Sequence, residues 1–278
     1  PNQSKDNLTY EGMYYRWVER VYKAGLRLMV MGVNENRVLC ELQANRTESC
    51  NEMDTMRRGF RAIRQLQDYV DAQAGGPGKG FYRIVKDPFE ARRVINEGKL
   101  AVVMGIEVSR LFECGVFNDV AQCTKAQIDE RLDEVWKLGV RSMELVNKFD
   151  NAFSGVAGDS GEVGAAVNSA NFAETGSYWD MRNCKPPDGE SHDRNQIAAP
   201  DISAGQQDAL FGAIASLGLP TSTPVYPPPD HCNARGLTTL GEHTIRTLAR
   251  KHILFDPDHM SVKARNSALD QIDAMRYP

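Results

Sequence analysis

At 278 residues with 41% hydrophobic content, the chain is long enough to bury one large core, and its length suits one barrel or one domain with a long insertion. Its 33 basic and 37 acidic residues leave a net charge of −4, with both signs scattered and no basic stripe, so nucleic acid is not an expected partner. No run of about 18 apolar residues occurs, and the opening PNQSKDNLTY lacks the charged and apolar regions of a signal peptide; the sequence reads as soluble, already processed and without a transmembrane segment.

The first helix is predicted from Met13, Trp17, Val18 and Val21 on one face, stopped at Gly25 and followed by a strand over 26–31. Met56, Phe60, Ile63, Leu66 and Val70 recur at three- and four-residue spacing and predict a second helix, which ends before Gly75-Gly76-Pro77-Gly78. Asp87 caps a third helix with Pro88 at its first position. That helix stops at Gly98 and runs into the apolar stretch 100–106, the pattern of a strand buried on both faces.

Thr124 and Gln127 form a capping box for a helix carrying Ile128, Leu132, Val135 and Trp136, stopped at Gly139 and followed by a strand over 141–146. Thr239 with Glu242 caps a further helix through Ile245 and Leu248, a short strand covers 253–255, and Ser261 opens the last helix. Strands alternating with helices predict parallel pairing through right-handed crossovers, in a doubly wound sheet or a barrel. About four strands are visible, whereas a full eight-stranded barrel needs about 250 residues, and the Gly-, Pro- and Asn-rich segment 151–235 reads as a long irregular insertion within a single unit over 1–278.

Six cysteines fall as Cys40 and Cys50, Cys114 and Cys123, Cys184 and Cys232, with no CxxC pair. Two readings stay open: sequential pairing that staples three loops, or six reduced, buried thiols. Asn2, Asn7 and Asn45 begin N-x-S/T sequons, which add little because such triplets arise often by chance.

In a parallel α/β sheet the ligand site lies at the carboxyl ends of the strands, which directs attention to the residues after Ile106, Val146 and Phe255. Glu107 follows the strand in VVMGIEVSR, where a carboxylate can bridge metal ions or simply form a salt bridge. His259 in ILFDPDHMS is a natural imidazole ligand for zinc or a similar metal, and also a common structural residue. Asp256 and Asp258 are placed either to bond its other ring nitrogen or to form the turn around Pro257. Asn147 and Asp150 in ELVNKFDNAFSG are candidates for binding a polar substrate, against a reading as turn residues. His192, His231, His243 and His252 show no ligand spacing; the glycine-rich stretches 75–80 and 155–164 lack phosphate-loop context, and no GxSxG elbow occurs.

Taken together, KLAVVMGIE, LGVRSMELV with its FDNAF continuation, and GLTTLGEHTIRTLARKHILFDPDHMS resemble the membrane or renal dipeptidase-like amidohydrolases, particularly a bacterial secreted branch, from about Tyr10 onward. The resemblance implies a (β/α) TIM-barrel-type amidohydrolase fold, incomplete in this chain, in a secreted protein. It implies that Glu107 bridges two divalent metal ions, zinc above all, and that His259 is a further ligand. It implies hydrolysis of an amide bond in a small peptide-like substrate by a metal-activated water. The sequence departs from the family in two places. Asn147 stands where many members have a substrate-contacting His, and neither the opening H-x-D ligand pair nor the strand expected to supply a later histidine is found. The expectation is therefore part of a longer hydrolase, the alternative being a non-catalytic extracellular binding module that uses 151–235 as its recognition surface. A phosphoesterase on a similar barrel calls for basic side chains around the metals, and the sequence shows none near Glu107 or His259.

Overall fold

The computed structural model describes residues 15–43, 46–159, 161–185, 224, 226 and 230–277. The three sequon asparagines and His192 lie outside the described residues. The chain opens with α1 (Tyr15–Lys23), β1 (Leu28–Glu35), the short α2 (Arg37–Glu41) and α3 (Glu52–Gln73). β2 (Tyr82–Val85), α4 (Pro88–Asn96) and β3 (Leu100–Val108) follow, then the small antiparallel hairpin of β4 (Val116–Phe117) and β5 (Val120–Ala121). α5 (Lys125–Lys137), β6 (Val140–Glu144), α6 (Gly161–Thr175) and the antiparallel pair β7 (Met181–Asn183) and β8 (His231–Asn233) come next. α7 (Thr239–Arg250), β9 (Leu254–Asp256) and α8 (Val262–Met275) complete the described elements.

The central sheet is parallel throughout, in the order β1-β3-β6-β9, with β2 pairing the first half of β3. This mixed α/β architecture, with helices between parallel strands, is that of part of a (β/α) barrel. One face of β3 is packed under the helices: Leu100, Val102, Met104 and Val108 are fully buried, in one core with Met56 and Phe60 of α3 and Leu132 of α5. The opposite face carries Ala101, Val103, Gly105 and Glu107, because successive side chains alternate across a strand. α4 packs Val94 against Val85 and Ala101 on that side. Beyond it, Leu28 and Val30 of β1 and Leu254 of β9, which share the face by register, are each 51% exposed.

Local signals set most boundaries. The Thr124–Gln127 capping box is present, Asp87 caps α4 through the Glu90 amide, and Ser261 caps α8. Gly98 and Gly139, at φ +75° and +95°, turn the chain out of α4 and α5 in the left-handed region that favours glycine. Other expectations are corrected. The cap of α7 is Thr238 and not Thr239: its side chain accepts from the Gly241 amide, and Thr239 is the first helical residue. In α1 the buried residues are Tyr15 and Val18, while Trp17 and Val21 are exposed. β2 was not anticipated: four residues beside a glycine-rich turn are too few for a periodic pattern. The segment expected to be irregular contains α6, whose run of small residues and asparagines has no amphipathic stripe to announce a helix.

All six cysteines pair in sequence order, Cys40–Cys50, Cys114–Cys123 and Cys184–Cys232, which overturns the reduced-thiol reading. No helix among the described residues is long and apolar enough to cross a membrane.

Candidate metal centre

The register of the sheet brings one polar row to its carboxyl end. Asn34 of β1 pairs with Glu107 of β3, Glu144 of β6 pairs with Asp256 of β9, and Glu107 and Glu144 directly follow the paired Ile106 and Met143. Ligand atoms of Glu107, Glu144 and His259 all lie within 4.8 Å of one another. The His259 Nε2 atom is 3.3 Å from Glu107 Oε1 and 3.9 Å from Glu144 Oε2.

His259 is delivered by the turn after β9. Its backbone lies in the left-handed region at φ +64°, which a β-carbon disfavours, and the surrounding structure holds it there. The Ala157 amide donates to the His259 carbonyl at 2.7 Å, Val156 bridges Met260, and the Ser261 amide donates to the Gly155 carbonyl at 2.9 Å. Asp256 accepts from the Asp258 amide at 3.1 Å, so its carboxylate builds the turn around Pro257. Among the described residues neither Asp256 nor Asp258 hydrogen-bonds His259; both add negative charge around Glu144.

Asn147 follows β6, is 5% exposed and donates from Nδ2 to Glu107 Oε1 at 2.7 Å. Asp150 is not brought to this cluster. It lies buried in the loop and accepts from the Val156 amide at 2.8 Å and from Asn233 Nδ2 at 2.9 Å; burial raises its pKa to about 6. Glu52, at the start of α3, ties the loops after β1 and β3 together. Its two oxygens accept from the Arg37 amide at 3.0 Å and the Arg110 amide at 2.6 Å, and burial raises its pKa to about 8.

Glu144 is the member of the cluster that sequence reading missed. It is the last residue of β6 and, like Glu107, follows an apolar residue that faces the helices, but the sequence predicts a strand running on to Val146, which hides that position. Its Oε2 is buried with no hydrogen-bond partner, a costly condition for a carboxylate. Burial raises its pKa to about 9, and the charges of Glu107, Asp256 and Asp258 push the same way. A cation between the two carboxylates and the imidazole would supply the missing partner, so the residues present fit a divalent metal. Among the described residues this is the one His/Cys/Asp/Glu group with metal-binding geometry.

No protein-family model matches the chain, and no curated protein matches it. Solved structures similar at low identity include the following three. An amidohydrolase from Pseudomonas aeruginosa is 12% identical with a TM-score of 0.44, over 93% of this chain and 46% of that one. A metallopeptidase from Rhodobacter sphaeroides, bound to a phosphinate mimic of the dipeptide L-Ala-D-Ala, is 11% identical with a TM-score of 0.46, over 91% and 52%. A probable dipeptidase from Pseudomonas aeruginosa is 11% identical with a TM-score of 0.38, over 93% and 52%. The chain spans about half the length of each of these three structures.

Proposed function

We propose that the protein is a metal-dependent hydrolase that cleaves an amide or peptide bond in a small peptide-like substrate, working outside the cell. The observation that carries this reading is the convergence of Glu107, Glu144 and His259 at the strand ends, with a buried Glu144 oxygen that has no partner. One imidazole and two carboxylates are a nitrogen and oxygen donor set that suits zinc. The resemblance implies two ions, and a second ion draws on ligands other than these three. Bound there, a divalent metal supplies an acidified water and polarises a carbonyl oxygen. The chain's own part is to aim three ligand side chains from three strand ends into one mouth. The three disulfides fit an oxidising compartment.

The test combines elemental analysis of the full-length protein from its native source with hydrolysis of a dipeptide panel. The expected result is copurifying zinc, activity lost on chelation and restored by Zn2+, and both zinc and activity lost in His259→Ala. Full-length protein that carries no metal, and whose properties do not change with Zn2+ or chelator, would leave only the binding-module reading.

A further inference from the structure

We propose that Asn147 is a positioning residue, which orients the Glu107 carboxylate for a metal, and not a substrate-binding group; this rests on the metal reading above. The Asn147 side chain is nearly buried, and its Nδ2 is committed to Glu107 Oε1 at 2.7 Å. An ionised carboxylate offers no donor to the side-chain oxygen of Asn147, so the amide nitrogen is the atom that faces Glu107.

The loop that carries Asn147 is held on both sides of it. Ser109, just past β3, takes the Lys148 amide on its hydroxyl oxygen at 3.2 Å and Asn36 Nδ2 at 2.7 Å. Asn151 Nδ2 donates to the carbonyls of Leu145 at 2.7 Å and Ser109 at 3.0 Å. Lys148 reaches Asp159, two residues beyond the Ala157 amide that holds the His259 carbonyl. One framework thus fixes both Asn147 and His259, and the Asn147 amide fixes the plane of Glu107.

The residue type suits the task. Glu107, Glu144, Asp256 and Asp258 already crowd carboxyl groups at this end of the sheet. A further acid would add repulsion, and a Lys or Arg would compete with a metal for the same carboxylate. A neutral amide directs one Glu107 oxygen and leaves the remaining lone pairs free for a cation.

The test is calorimetric titration of Zn2+ into the metal-free full chain for the wild type, Asn147→Ala, Asn147→Leu and Glu107→Ala. Asn147→Leu keeps the branched side-chain shape while removing the donor, and near-ultraviolet circular dichroism of each metal-free variant checks the packing. Hydrogen-bond partners of metal ligands are worth about 10- to 100-fold in affinity, so both Asn147 variants are expected to bind Zn2+ that much more weakly with packing unchanged. The visible spectrum of the Co2+-loaded variants is expected to shift as Glu107 reorients. Wild-type Zn2+ affinity in both Asn147 variants, with binding lost in Glu107→Ala, overturns the positioning role and leaves the metal reading standing. No Zn2+ binding by the wild type, or wild-type affinity in Glu107→Ala, overturns the metal reading and this inference together.

Discussion

Asp150 illustrates how an acid after a strand can be spent on structure. Its Oδ1 accepts from both the Val156 amide and Asn233 Nδ2, pinning the loop after β6 to β8. Burial raises its pKa to about 6 from an ordinary 3.8, so the folded protein holds this proton more tightly than the unfolded chain does. The stability due to this group is therefore full below about pH 4, falls as pH rises through about 6, and is absent above that. Asp150→Asn keeps an oxygen for both donors and removes the titration. The variant is expected to match wild type near pH 4 and to exceed it at pH 7 by at most on the order of 3 kcal/mol. Urea unfolding at the two pH values measures this, and an equal difference at both would show that Asp150 ionises normally. At the same scale Glu107, Asn147 and His259 were legible as polar residues after apolar strands. Glu144 was not, because a strand expected to run to Val146 hid the point at which β6 ends.

Elements were legible where a single side chain closes a local bond. Thr124, Asp87 and Ser261 each cap a helix within three residues of themselves, so sequence-local chemistry suffices. Disulfides depend on distance along the chain. Cys40–Cys50 lies between β1 and α3, and Cys114–Cys123 between β3 and α5, so each staples a loop on the side of the metal centre. Cys184–Cys232 closes a loop of sequence separation 48, against 10 for Cys40–Cys50. On chain entropy alone, removing the long closure costs about 4 kcal/mol and the short one about 3 kcal/mol. Paired Cys→Ser variants compared by denaturant unfolding are expected to rank in that order, and the reverse order would place the stabilisation in native contacts.

Across the whole molecule the two faces of the sheet differ sharply. Met104 is fully buried under α3 and α5, whereas Val30, on the opposite face beside Gly105, is 51% exposed. Met104→Ala is therefore expected to cost about 2–5 kcal/mol. Val30→Ala is expected to cost under about 1 kcal/mol, because little apolar area leaves water there on folding. Similar losses at the two positions in thermal unfolding of the full-length protein would mean that the face of β1 and β9 is covered in solution.

The sequence by itself determined the alternation of helices and strands, the caps and glycine stops, and the acid and histidine at strand ends, since each depends on periodicity or on neighbours within a few residues. Tertiary structure alone decided the rest. The register of four parallel strands placed Glu144 beside Glu107 and His259, the loop framework turned Asn147 toward Glu107, and folding chose between paired and reduced cysteines. The contacts within the metal centre join residues tens of positions apart, set by how strands align across the sheet, and no pattern within one segment encodes that alignment.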